Sequence, residues 1–372
     1  MAELRRQLDG HAARAVLLVG PLPPPIGGVS SHVHRLARLF AENDVECTVL
    51  DAYPSEAKTE VPGARHVQFR GRARWLHVGI FVRGVTRRTD SVVHLHFSRL
   101  MGRLLLVSLL CVRRPHDVFL TLHNGDQAVG WRRASRVQRF AARLALNRIS
   151  KVIALSDEQL EFYRSLGLPA ERLDRWADAL PIGVSADARL LPPEVRRITA
   201  IEDGGEASVL VTSGYPRETY GYELSIDLLD HLSERFDTRL VVCLYGKGSD
   251  PAYERGLRDL LSSHPRVVLV GPMPAEGFVS LLERASVYLR PSTEDSYGLA
   301  ISDALDVGTP CLASDVCARD YRSEIFPTGD RDAFLARASA IVERGRTAGR
   351  LLPTGRSWVD PKVFLQQYAR KE

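Results

Sequence analysis

The chain has 372 residues, 45% of them hydrophobic and 26% charged, a composition that suits a soluble globular protein of two domains and gives no ground for disorder. Charge is divided unevenly: residues 1–190 hold 28 Lys+Arg against 18 Asp+Glu, a net of +10, and residues 191–372 hold 22 against 27, a net of −5, so two domains with different partners are expected. Five scattered cysteines (Cys47, Cys111, Cys243, Cys311, Cys317) include no C-x-x-C and read as reduced thiols of a cytosolic protein. The apolar run Ala15–Val19 is too short for a signal-peptide core, and Leu104–Val112 falls well short of the roughly 20 residues that cross a bilayer.

In the first half, buried strands are expected at Ala15–Gly20, Val45–Leu50, Ser91–Phe97, Val118–His123 and Lys151–Ser156, with helices at 29–40, 102–112, 131–148 and 157–166. The second half repeats the plan. Strands are expected at Ala207–Ser213, Arg239–Tyr245, Arg266–Gly271, Ser286–Arg290 and Pro310–Ser314, with helices at 222–235, 252–263, 275–284 and 298–307. Continuous Val/Leu/Ile strands alternating with helices predict an α/β protein of two doubly wound, Rossmann-like domains. The domains are placed at 1–185 and 207–352, the linker at 186–206, and a last helix within 353–372, about Pro361–Arg370.

Ligands of open α/β sheets sit beyond the carboxyl ends of the strands, so the residues there carry the functional reading. After the first strand, G-P-L-P-P-P-I-G-G-V-S-S-H lacks G-x-G-x-x-G, which removes a dinucleotide oxidoreductase. Gly27 and Gly28 open a helix where an anion is favoured, or form a plain tight turn. His94 and His96 lie on one face of a strand; they read as structural or substrate-facing, since a metal site would need a third ligand and none is evident. His123 ends the next strand and is either structural or ligand-facing. Arg217 and Lys247 follow two strands of the second half and suit a diphosphate.

The segment P-S-T-E-D-S-Y-G-L-A-I-S-D-A-L-D-V-G-T-P, Pro291–Pro310, concentrates the signal. Asp295 precedes a helix, Tyr297, Gly298 and Leu299 open it with unpaired N–H groups, and Asp303 lies one to two turns inside, able to accept both hydrogen bonds of a vicinal diol. The basic stretch Arg70–Arg88, with Trp75, Ile80 and Phe81, and the later Trp131-Arg132-Arg133 suit an anionic membrane surface or solvated helix faces; no nucleic-acid motif accompanies them.

That segment resembles the acid–seven–acid signature of retaining glycosyltransferases of the GT-B fold, family four. The Pro-Gly loop is similar to their N-terminal loop, as found in bacterial surface-polysaccharide enzymes, and L-T-L-H-N to the strand whose His meets the donor sugar. The resemblance implies two domains facing across a cleft, with acceptor on the first and nucleotide sugar on the second. It implies catalytic roles for His123 and Asp295, with Glu294 able to substitute for Asp295. Donor contacts would come from Gly27, Gly28, Arg217, Lys247, Tyr297, Gly298, Leu299 and Asp303, and acceptor-side placement would fall to His94 and His96. No metal and no cofactor beyond the nucleoside-diphosphate sugar are expected. The acceptor would be a saccharide or polyprenyl-linked, the location cytoplasmic or peripheral on the inner face of the plasma membrane, and nucleic acid no partner. The sequence departs from the family in carrying Asp at both acidic positions, where Glu is usual, and Tyr215 and Tyr220 near the usual Arg and Lys. A non-catalytic GT-B-like sugar- or partner-binding subunit is the alternative.

Overall fold

A computed structural model describes residues 14–53, 58–86, 90–100, 103, 117–125, 127–176, 180, 182–199, 207–348 and 365–368. The chain divides into unit 1, Met1–Leu180 with Trp358–Glu372, and unit 2, Pro181–Ser357.

Unit 1 contains β1 (Ala15–Val19), α1 (Gly28–Glu42), β2 (Cys47–Asp51), β3 (Arg65–Gln68), α2 (Arg74–Thr86), β4 (Ser91–Phe97), β5 (Asp117–Leu122), α3 (Gln127–Arg133), α4 (Arg136–Leu146), β6 (Lys151–Ala154), α5 (Asp157–Ser165) and β7 (Leu173–Arg175). The strands form one parallel sheet in the order β3-β2-β1-β4-β5-β6-β7. Alternate residues of β1 face opposite ways: Leu17 and Val19 pack under α2 and α4, while Val16 and Leu18 pack under α1. All seven residues of β4 are buried, His94 and His96 included. Residues 365–368 join the α1 side, where Tyr368 meets Phe40 edge-on at 4.8 Å between centroids.

Unit 2 contains α6 (Pro193–Thr199), β8 (Ser208–Gly214), α7 (Tyr222–Ser233), β9 (Thr238–Leu244), α8 (Pro251–Ser263), β10 (Val267–Val270), α9 (Ala275–Arg284), β11 (Val287–Arg290), α10 (Leu299–Asp306), β12 (Cys311–Ser314), β13 (Glu324–Phe326) and α11 (Arg331–Ala348). Its sheet, also parallel, runs β10-β9-β8-β11-β12-β13. Helices α7, α8 and α11 cover one face, and α6, α9 and α10 the other.

Both sheets therefore reverse direction at their first strand, β1 in unit 1 and β8 in unit 2, which is where a doubly wound sheet opens a crevice beyond its strand ends.

The structure departs from the sequence expectation in several elements. The helix expected over 131–148 is two helices, because Ser135 caps α4 through a reciprocal pair with Gln138. Residues expected as linker form α6 instead, with Leu191 and Val195 buried in the unit 2 core. The short edge strands β3, β7 and β13 and the long helix α11 are additional to the expected elements. The helix expected at 102–112 lies outside the described residues except for Arg103, and the last helix does so except for residues 365–368. Among the described residues, Cys47, Cys243, Cys311 and Cys317 form no disulfide, and no helix is long and apolar enough to cross a membrane.

Candidate functional site

In unit 2 the candidate site gathers at the carboxyl ends of β9, β8, β11 and β12. Gly298 takes the left-handed conformation (φ 86°) as the cap of α10, and a Cβ there would meet Ile301 at 2.9 Å and the Arg319 guanidinium at 3.1 Å. Glycine is thus required by both backbone and space. No side chain caps α10, so the Leu299 N–H at its start has no acceptor within the helix.

Beside this helix start lies an ion-pair cluster. Asp295 Oδ2 accepts from Arg290 Nε at 2.8 Å and from Arg319 Nη1 at 2.7 Å, while Oδ1 accepts the Ser296 N–H at 2.9 Å. Arg290 also donates to the Ser213 carbonyl at 3.0 Å and lies 4.6 Å from the Tyr220 ring centroid. Arg319 donates to the Ser314 and Tyr297 carbonyls, each at 3.0 Å. Burial works against the Asp295 charge, but Arg290 and then Arg319 outweigh it and hold the carboxyl far below the usual range. Two cations around one anion leave the cluster at +1.

This corrects one expectation. Asp295 is an internal anchor with both oxygens engaged, not a carboxylate reaching outward as expected of a catalytic group. The adjacent Glu294 is exposed. Asp303 is buried within α10 (4% exposed), and Tyr297 accepts a hydrogen bond from Ser302 at 3.1 Å. Arg217 and Lys247 are both exposed, after the adjacent strands β8 and β9, with Arg217 5.3 Å from the Tyr215 ring centroid. Arg290 and Arg319 were missed in the sequence: one reads as the last residue of a strand and the other lies beyond the signature.

In unit 1, Gly27 caps α1 with extended backbone, and a Cβ on Gly28 would meet nothing within 4 Å, so the helix start is open. The proline loop before it is pinned by a buried ion pair: Lys58 Nζ lies 2.9 Å from Asp51 Oδ2 and donates to the Leu22 and Pro24 carbonyls, and Asp51 accepts the Leu22 N–H at 3.0 Å.

His94 has both ring nitrogens engaged within the core, Nδ1 with the Tyr368 hydroxyl at 2.6 Å and Nε2 with Thr121 at 2.8 Å, which overturns its acceptor-side placement. His96 is likewise fully buried, stacked on His94 at 3.9 Å between centroids, with Nδ1 3.1 Å from His123 Nε2. The third imidazole that the sequence did not reveal is His32, on the second turn of α1. One nitrogen each of His32, His96 and His123 lie within 4.8 Å of one another. Nε2 of His32 and of His96 is buried with no hydrogen-bond partner. Burial, reinforced by Arg35, lowers His32 to about 4, and burial with the neighbouring imidazoles keeps His94, His96 and His123 well below their ordinary value.

Residues 26–178 match the family model Glycosyltransferase Family 4, and residues 197–322 match Glycosyl transferases group 1. No curated protein matches the sequence. Similar solved structures include sucrose-phosphate synthase from Thermosynechococcus elongatus, 16% identical over 95% of each chain with a TM-score of 0.67. Another is HepE from Anabaena in complex with UDP, 14% identical over 95% of each chain with a TM-score of 0.65. A third is WaaG, a glycosyltransferase involved in lipopolysaccharide biosynthesis, 15% identical over 95% of this chain and 99% of that one with a TM-score of 0.64. At these identities the likeness shows the fold, which is GT-B.

Replacing Asp295 by Asn removes one member of a buried ion cluster, and a loss of about 3–5 kcal/mol is expected in urea unfolding; a loss below about 0.5 kcal/mol would refute the anchoring role. The buried histidines give stability a second dependence. The unfolded chain protonates them near pH 6.5 and the folded chain does not, so stability is full above that pH and falls as pH drops toward 4, by up to about 1.4 kcal/mol per pH unit for each imidazole. In chelator-treated protein the thermal midpoint should fall from pH 7 to pH 5, and less steeply in His32→Leu.

Proposed function

Because both halves carry glycosyltransferase domains on a GT-B fold, we propose that the chain is a retaining transferase acting in surface-polysaccharide or glycoconjugate synthesis. It would move a hexose-type sugar from a nucleoside-diphosphate donor to a hydroxyl of a saccharide or polyprenyl-linked oligosaccharide. The observation that carries the donor assignment is the open start of α10 beside the Arg290–Asp295–Arg319 cluster, whose net charge is positive. A diphosphate suits that combination of bare N–H groups and fixed cations. The UDP held by the Anabaena neighbour supports the same reading.

In this proposal Gly298 and Leu299 N–H groups take the diphosphate, with Arg217 and Lys247 approaching from the adjacent loops of unit 2. Asp303 takes the ribose diol. Since Asp295 is held internally, the exposed Glu294 is the carboxylate available to sugar hydroxyls. The anomeric C–O bond to phosphate breaks as the acceptor oxygen bonds the same face of that carbon, and the acceptor hydroxyl passes its proton to the departing phosphate oxygen. The protein's share is positioning, together with stabilisation of charge on the departing diphosphate. Arginine and backbone N–H groups supply that stabilisation, so the donor site is proposed to work without a metal.

Two features of unit 1 support a lipid-linked acceptor at a membrane. A cavity of about 260 Å³ is walled by Leu122, Trp131, Phe162 and Leu166 and bordered by Arg99 and Arg133, which suits an isoprenoid segment ending in phosphate. Helix α4 exposes Val137 (78%), Phe140 (65%) and Leu144 (44%) along one side, with Arg136 and Arg143 also exposed; α2, on the same face of the sheet, exposes Leu76 and Ile80. Apolar residues among arginines suit the anionic inner face of the plasma membrane. The binding-only alternative draws its support from the engaged state of Asp295.

In a thermal-shift screen of nucleoside diphosphates and nucleotide sugars, at least one should raise the midpoint by about 2–4 °C or more at saturating ligand, and Asp303→Ala should weaken that ligand by about tenfold or more. No response to any nucleotide refutes the donor assignment, and binding without sugar transfer to any lipid-linked acceptor favours the binding-only subunit. In sedimentation with vesicles containing anionic lipid, the wild type should pellet at low salt, and Phe140→Ser should bind about tenfold more weakly; equal recovery of both in the supernatant removes the membrane surface.

A further inference from the structure

The histidine cluster of unit 1 is more than a packed core. We propose that His32, His96 and His123 form a site for one divalent transition-metal ion of the zinc class, at the carboxyl ends of β1, β4 and β5. The three imidazoles come from three different elements: the second turn of α1, the penultimate residue of β4, and the residue that follows β5. The fold therefore brings together groups that are far apart in the chain.

The distances suit such an ion. Two imidazoles on a tetrahedral zinc, each about 2.0–2.1 Å from the metal, hold their nitrogens about 3.3 Å apart. His96 and His123 already stand 3.1 Å apart, and the full set of three nitrogens lies within 4.8 Å. A turn of the His32 ring that closes about 1.5 Å completes the geometry. The His96 atom facing this site is Nδ1, the one that meets His123 Nε2. Nε2 of His32, in a residue 5% exposed, is buried without a hydrogen-bond partner, and the hydrogen-bonded His96–His123 pair gives it none. Leaving such an atom unpaired costs about 1–3 kcal/mol; a metal ion gives its lone pair a partner.

The neighbours define the set further. His94 packs on His96 but has both nitrogens committed to Tyr368 and Thr121, so it holds the His96 ring in place and does not ligate. Gly20 leaves room for this arrangement: a Cβ there would stand 3.2 Å from the His96 Cβ and 2.8 Å from Val33. An all-imidazole donor set selects zinc, copper, nickel or iron over magnesium or calcium, which take oxygen. His123 is half-buried, so the fourth position faces the rim and suits water or a small ligand.

The full chain, stripped with chelator and dialysed, is titrated with Zn²⁺ by calorimetry and separately with Co²⁺, whose visible bands report four-coordinate nitrogen ligation. One equivalent of each metal should bind the wild type, and His32→Gln, His96→Gln and His123→Gln should each weaken Zn²⁺ by about tenfold or more and remove the cobalt bands. His123→Gln lies at the rim, and an unchanged thermal midpoint in chelator shows that this variant is folded. Absence of stoichiometric zinc and cobalt binding by the wild type overturns the site, as does zinc binding that survives undiminished in all three variants.

Discussion

Two guanidinium groups closing on one buried carboxylate give the donor half its shape. Burying Asp295 alone would cost several kcal/mol, and the charges of Arg290 and Arg319 offset that cost only because hydrogen bonds satisfy what remains of all three groups. Arg290 reaches the Ser213 carbonyl near the end of β8 and the ring of Tyr220, while Arg319 reaches Ser314 at the end of β12 and Tyr297 before α10. The loops after β8, β11 and β12 are thereby tied to one charge. A backbone bond from the Thr293 N–H to the Thr219 carbonyl and the tight approach of Gly221 to Pro291 close the same arrangement. The open start of α10 is held in place by this cluster, since Gly298 itself supplies no side chain.

The shorter acid then acquires a physical meaning. An aspartate stays close to its own backbone, and Asp295 spends one oxygen on the next N–H and the other on two arginines. A glutamate, one methylene longer, would carry its carboxylate past that N–H and farther from the loop. Holding the loop and reaching a sugar are competing uses of one carboxylate, and here the first has won.

Unit 1 uses the same device at the equivalent strand ends. The Asp51–Lys58 pair is nearly inaccessible to water, and its remaining hydrogen bonds go to the backbone of the proline loop that leads into α1. Each sheet reverses direction at its first strand, so the loops beyond it are splayed apart by topology and need a tether. A buried ion pair serves because it is directional and because an unpaired charge there would be expensive. The histidines beside α1 show the opposite solution: with no acid among the described residues acting on them, burial keeps them neutral and leaves lone pairs in place of charges.

Much of this was legible in the sequence where a residue's environment is set by its immediate neighbours. The buried strand β1 announces itself as an unbroken apolar run and β4 and β8 as stretches rich in Val and Leu, and Gly298 with its flanking residues marks a helix start. Edge strands β3, β7 and β13 are only three or four residues long and half-exposed, so they carry no comparable pattern. Helix α11 was missed because Arg and Ala dominate its turns and its buried stripe of Phe334, Ala338, Ile341 and Val342 is thin. The site shows the same division. Asp295 and its helix were readable at seven-residue range, whereas Arg319 meets them only from the loop after β12, the strand beside β11 in the sheet. His32 joins His96 across 64 positions through the pairing of β1 with β4, a contact that no local spacing encodes. What sequence reading lost at both places was the partner delivered by parallel topology, and in both cases that partner decides whether the readable residue is free to act.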